Sequence, residues 1–196
     1  MKKVLLSLLL LMCLFLQAQE NPVEFKLQST GEFLSKEGKD FIVVEFDGKT
    51  TSELYDMVKG NVMSLYNSPK EVMSESGDNV ITIFARDDEM WYVNSLGAKG
   101  IYGGYYKLVF KFKDGRIRID SPTISKELSL TDGFFTNTIG IPKSVFLSNC
   151  AKKVCETNSN KNNKKKTLLE NVVNVPINYL LGLTQEQQQK KTDEDW

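Results

Sequence analysis

Asp87, Asp88 and Glu89 stand together near the expected end of a strand. Grouped oxygen ligands could hold calcium, and two carboxylates facing each other across a cleft could hydrolyse a glycosidic bond. The spacing is not that of an EF-hand, Arg86 offsets part of the charge, and adjacency says nothing of a facing pair about 5–10 Å apart, so a solvated turn competes with both. Trp91, Tyr92, Tyr102, Tyr105 and Tyr106 interleave with Gly97, Gly100, Gly103 and Gly104. Exposed rings on pliable backbone could stack a sugar or an apolar partner, and these five aromatic residues form the candidate ligand-binding set. The glycines match neither a P-loop nor a dinucleotide fingerprint. The competing reading is a strand connection in which glycines turn the chain and the tyrosines are half-buried. Lys107, Lys111, Lys113, Arg116 and Arg118 share one face of a hairpin. They could meet anionic headgroups or polysaccharide, or be an ordinary wet sheet face that deters edge aggregation.

Cys150 and Cys155 invite a disulfide in an oxidising compartment. Within one continuous helix their Cα atoms would stand about 8.7 Å apart, beyond the roughly 7 Å that a bridge tolerates, so pairing requires the helix to end between them. The spacing is C-x4-C rather than the redox C-x-x-C. Histidine is absent from all 196 residues, which removes Ser-His-Asp and Cys-His catalysis and His-ligated zinc or haem. The residues assign no catalytic group, no metal site and no cofactor.

Composition fixes the class. With 41% apolar and 26% charged residues, the chain is neither a disordered polyelectrolyte nor a multi-span membrane protein. Lys2 and Lys3 precede an apolar run from Val4 to Leu16, closed by Gln17-Ala18-Gln19. This has the charge, length and order of a secretory signal, and about 13 residues fall short of the roughly 20 that span a membrane. Cleavage after Ala18 or Gln19 leaves an exported chain, periplasmic or extracellular, with no integral membrane span. Lipoprotein anchoring at Cys13 is disfavoured because Met12 stands where a small residue is needed and the apolar run continues through Leu16. Removing Met1–Gln19 takes two lysines from 25 bases and nothing from 25 acids, a net of −2. That supplies no field to recruit nucleic acid.

The elements that must position these residues follow. Residues 20–39 read as a leader with a turn at Ser29-Thr30-Gly31 and at most one short strand. Phe41 to Phe46 reads as a strand stopped by Asp47-Gly48. Thr50 with Glu53 forms a capping box, and Leu54, Met57, Val58, Val62, Leu65 and Tyr66 make one helical stripe. Antiparallel sheet follows: Val72–Ser74, Val80–Phe84, a short piece at Met90–Val93, and a hairpin from Tyr105 to Asp120 turning at Asp114-Gly115. Leu108, Phe110, Phe112, Ile117 and Ile119 share its dry face, so helices should cover one side only. Val145 to Cys155 has helical spacing. Residues 157–166, with Lys161 and Lys164–Lys166, read as a polar linker. Thr167 to Leu183 is apolar in two pieces divided by Pro176, which suits a first helical turn; Leu168–Val173 and Ile177–Leu183 either finish the core or face a partner. Gln185 to Trp196 reads as a frayed tail that completes the C-terminal segment 167–196.

The opening FIVVEFDGKTTSELYDMVKGNVMSLY and the glycine-aromatic entry GGYYKLVFKFKDGRIRID, in that order behind a signal-like segment, resemble the secreted Bacteroidetes domain of unknown function with a TATA-box-binding-protein-like (TBP-like) fold. The resemblance covers Phe41 to about Leu128. It implies a helix packed on one face of a curved antiparallel sheet, and the region beyond about Thr131 lies outside it. With the helical segments read from the residues themselves, the expected fold is α+β: a TBP-like domain over residues 40–156 with C-terminal helical segments added. It implies no activity and transfers no site residues, and a TBP-like fold need not bind nucleic acid. The leading expectation is a non-enzymatic binding module of the cell envelope whose partner is an envelope protein or glycan. A carboxylate-dependent hydrolase and a structural accessory protein of an envelope assembly are the alternatives.

Overall fold

The hairpin around Asp114-Gly115 forms in the register that its alternation dictates. In the computed structural model, which describes residues 22–95, 98–130 and 144–183, strand β6 (Ala98–Lys113) meets β7 (Arg116–Asp120) antiparallel. Phe110 lies opposite Ile119 and Phe112 opposite Ile117, with Lys111 opposite Arg118 and Lys113 opposite Arg116 between them. Gly115 turns the chain at φ 73, a left-handed conformation that a side chain resists. Along its other edge β6 pairs with β5 (Val80–Ser95) from Val80↔Lys111 to Ser95↔Ala98. β5 in turn pairs with β4 (Met73–Glu75), and β7 with β3 (Phe41–Glu45). Beyond β7, the edge of β6 is taken by β8 (Thr123–Ile124) and β9 (Glu127–Leu130), and β9 pairs with β10 (Ser144–Phe146). These strands form one eight-stranded sheet.

Helices cover one face of it. Helix α1 (Thr51–Leu65) starts at the expected capping box: Thr50 N–H donates to Glu53 Oε2 at 2.7 Å and Glu53 N–H to Thr50 Oγ1 at 3.3 Å. Its Leu54, Val58 and Val62 are buried against Ile81, Ile83, Leu108, Phe110, Phe112, Ile117 and Ile119. A short turn, α2 (Pro69–Val72), leads into β4. The second covering layer is α3 (Leu147–Glu156) and α4 (Asn160–Leu180), which bury Cys150, Ala151, Val154, Leu169, Val173 and Ile177.

Several elements differ from expectation. Val80–Phe84 and Met90–Val93 belong to one strand, β6 begins at Ala98 rather than Tyr105, and Val145 and Phe146 pair in β10 ahead of the helix. Residues 20–39 contain a hairpin, β1 (Phe25–Leu27) and β2 (Phe33–Ser35), that turns at Ser29-Thr30-Gly31 and buries Phe25, Leu27 and Phe33. Residues 160–166 are not linker but the first two turns of α4. Ser159 caps them by accepting the Asn162 N–H at 3.3 Å, and Asn162 reaches back to the carbonyls of Lys153 and Thr157. Polar residues at a helix start satisfy orphan backbone groups and carry the same composition as a solvated linker. Pro176 lies inside α4 rather than at a first turn; the helix passes through it although proline lacks the N–H that Val172 would accept.

The outer edge of β1 is finished by side chains of α4. Asn178 accepts from Val23 N at 2.7 Å and donates to Val23 O at 2.8 Å, and Asn174 does the same for Phe25 at 2.9 Å each way. Glu170 accepts from Leu27 N at 3.1 Å. Met1–Gln19 with Cys13, Gly97 and residues 184–196 lie outside the described residues. Among the described residues no helix is long and apolar enough to cross a membrane.

Candidate functional site

Strand alternation divides the five candidate aromatic residues. On β6, Tyr102 and Tyr106 point to the helix-covered face with Leu108 and are buried, whereas Tyr105 points away and is exposed. On β5 the register shifts between Asp87↔Gly104 and Trp91↔Tyr102, so two extra residues bulge out of the ladder. An even insertion restores parity and returns Trp91 to the covered face, where it is buried. Tyr92 is half-buried. Lys165 of α4 lies 4.4 Å from the Trp91 ring centre and 4.5 Å from that of Tyr92, and donates to the Tyr92 carbonyl at 2.8 Å. Burial lowers the pKa of this ammonium, and Lys153 and Lys161 add to the effect. Tyr106 shares a 2.9 Å hydroxyl contact with Tyr66, and burial raises both phenols. Three of the five rings, Trp91, Tyr102 and Tyr106, therefore belong to the packed side, and Tyr92 lies at its margin against Lys165.

Tyr105 has a partner that the spacing had not singled out. Phe84 of β5 stacks on it with ring centres 5.1 Å apart and planes parallel, and the two residues are 55% and 42% exposed. Phe84 stands opposite Lys107 and Arg86 opposite Tyr105, so two rings and two cations alternate in a square. The signal was available: Thr82, Phe84 and Arg86 share the parity of the wet face. Lys107, Lys111, Lys113, Arg116 and Arg118 are all exposed on that face, as expected. Asp120 bridges Lys111 at 2.5 Å and Arg118 at 2.8 Å. Partial burial alone would raise its pKa, but these two cations outweigh it and hold the carboxyl below its ordinary value. Arg118 also lies over Phe41, 4.1 Å from the ring centre.

The acidic triplet occupies the bulge rather than a turn. Asp88 pairs with Arg86 at 2.6 Å and Asp87 accepts the Glu89 N–H at 2.7 Å. No group of three side chains among the described residues is placed to hold a metal ion. A separate groove of about 700 Å³ lies between β2, β8 and the start of α3, lined by Phe33, Pro122, Ile124, Phe146 and Leu147.

Cys150 and Cys155 are free, and α3 runs unbroken through both. The condition for a bridge, an end of the helix between them, is not met. Cys155 donates to the Leu27 carbonyl at 3.3 Å, and burial pushes the Cys150 thiol up to about 11. Iodoacetamide at about pH 8 is therefore expected to spare Cys150 in the folded chain and to label both cysteines after denaturation, because only a thiolate attacks. Intact mass checks this, and rapid native labelling of Cys150 or a loss of two hydrogens would contradict it.

No family model matches the chain, and no curated protein matches it. Two solved structures are similar. A TBP-like protein from Parabacteroides distasonis gives a TM-score of 0.45 at 12% identity, covering 71% of this chain and 90% of that one. A DUF4468 family protein from Bacteroides ovatus gives 0.49 at 10% identity, covering 72% and 84%. The α+β fold has TBP-like neighbours. One of the two is described as TBP-like and the other by a domain-of-unknown-function family, and both come from Bacteroidetes. At such identities the likeness concerns the fold, and no residue role transfers with it.

Proposed function

We propose that this chain is an exported, non-enzymatic interaction module of the bacterial cell envelope, which recognises a protein or glycan partner through the open face of its sheet. The observation that carries the reading is the Phe84–Tyr105 stack: two large rings, parallel and half exposed, on a face that no helix among the described residues covers. Rigid aromatic anchors ringed by cations are what binding surfaces use for most of their energy, and an idle sheet face would keep polar residues there. Export rests on the lysine-led apolar segment Lys2–Leu16. A binding role is favoured over hydrolysis because Asp87 and Asp88 are engaged within their own bulge.

The test compares the wild-type chain with Phe84→Ser/Tyr105→Ser on an array of envelope glycans and in crosslinking to envelope proteins. Both positions are exposed, so the variant should keep its melting temperature within a few degrees. Loss of a defined partner in the variant is the expected result. Equal binding by both chains would sink the reading.

A further inference from the structure

The charges on the open face are placed in a way that the sheet by itself does not favour. Like charges directly opposite each other on neighbouring strands are destabilising, yet Lys111 faces Arg118 and Lys113 faces Arg116. Asp120 answers the first pair by bridging both cations. The second has only Glu45, opposite Arg116 on β3, and neither Lys113 nor Arg116 makes an ion pair among the described residues; nor does Lys107. Counted with Arg86 and Lys99, seven cations among the described residues share this face with four carboxylates, Glu45, Asp88, Asp120 and Glu127. From Lys107 to Lys113 the row follows β6 for about 20 Å. At the Lys107 end lies the Phe84–Tyr105 stack.

We infer that this face binds an acidic polysaccharide, a linear chain of sugar rings that carry carboxylates, with a ring laid on the Phe84–Tyr105 stack and carboxylates taken by Lys107 and by the Lys113–Arg116 pair. The inference rests on the proposed role of the open face and adds the class of ligand. Three elements of the chemistry agree. Aromatic faces stack on the C–H side of a sugar ring while the hydroxyls stay in water. Guanidinium and ammonium groups take carboxylates in charge-assisted hydrogen bonds. Along this row the cations without an ion pair are also sparse: Lys113 and the Arg116 opposite it form one position and Lys107 a second, about 20 Å along β6, so a ligand needs only well-separated carboxylates to meet both. Duplex nucleic acid presents a charge about every 1.7 Å, far denser than the cations on this face.

Calorimetric titration of the purified full-length mature chain with oligogalacturonate, its methyl ester and a single-stranded oligonucleotide tests this. Oligogalacturonate should bind, and methyl esterification should weaken it at least about tenfold, as should Lys113→Gln/Arg116→Gln or Tyr105→Ser. Salt at about 1 M, where the screening length falls to about 3 Å, should abolish the interaction. Three results would overturn the inference: an ester that binds as well as the acid, an oligonucleotide that binds more tightly, or no binding of oligogalacturonate. If one of these occurs while another envelope partner still depends on Phe84 and Tyr105, only the ligand class fails. If no partner depends on them, the role of the open face fails as well.

Discussion

Asn174→Leu should cost about 2–5 kcal/mol of stability, far more than a helix-surface substitution. The Asn174 amide donates to the Phe25 carbonyl and accepts from the Phe25 N–H, both at 2.9 Å and both buried. A leucine of similar size leaves two backbone groups without partners, at about 1–3 kcal/mol each. The arrangement works because a primary amide carries the donor and acceptor of a peptide unit. Helix residues four apart rise about 6 Å, close to the roughly 6.8 Å between alternate residues of a strand. Glu170, Asn174 and Asn178 thus step in register with Leu27, Phe25 and Val23. Urea unfolding measures the cost, and exchange of the Phe25 amide should accelerate in the same variant. The neighbouring exposed Asn171→Leu should stay within about 0.5 kcal/mol. A cost under about 1 kcal/mol for Asn174→Leu would show that the ladder is dispensable.

Gly104→Val is the second large effect, expected at about 3 kcal/mol. A Cβ at Gly104 would lie 2.8 Å from Leu128 Cδ2, 2.8 Å from Ser125 Oγ and 3.0 Å from Met90 Sδ. Overpacking of this kind costs about 1–3 kcal/mol, and valine adds two further carbons. Ser125 cannot simply withdraw, because its hydroxyl accepts from Tyr105 N and donates to the Glu127 carbonyl. Strand propensity predicts the opposite sign, since valine favours strands over glycine, so the direction alone separates the two effects. Thermal unfolding of Gly104→Val, Leu128→Ala and the double variant completes the test. The double variant should be less destabilised than the sum of the singles by at least about 1 kcal/mol. Additive costs would place the strain elsewhere.

What could be read in the sequence was local. The Thr50–Glu53 box and the Asp114-Gly115 turn are decided within a few residues, and the wet face from Lys107 to Arg118 follows from strand parity. β1 was hidden because three residues hold too little alternation and because its pairing edge is made by a helix far along the chain. Asn162 and Lys165 looked like solvent-seeking linker residues; what buries them is the end of α3 and the rings of Trp91 and Tyr92. The aromatic set was half legible. Parity placed Tyr105 outside, but the fate of Trp91 depended on how many residues the Asp87–Trp91 bulge inserts, which composition does not reveal. Phe84 was visible in the alternation, but its stack with Tyr105 depends on the strand pairing.

The ladder from α4 to β1 also sets an order of events. Val23 is separated from the side chain that holds it by 155 residues. At about 5–20 residues per second, it is synthesised roughly 8–30 s before Asn178. The capping box of α1 and the hairpin at Gly115 have no such wait. The edge of β1 thus cannot close until Glu170, Asn174 and Asn178 of α4 have been made. A chain cut short before Glu170 would carry a helix-covered sheet in part and an amino-terminal hairpin with nothing to close its edge, a species that proteases can distinguish from the finished protein.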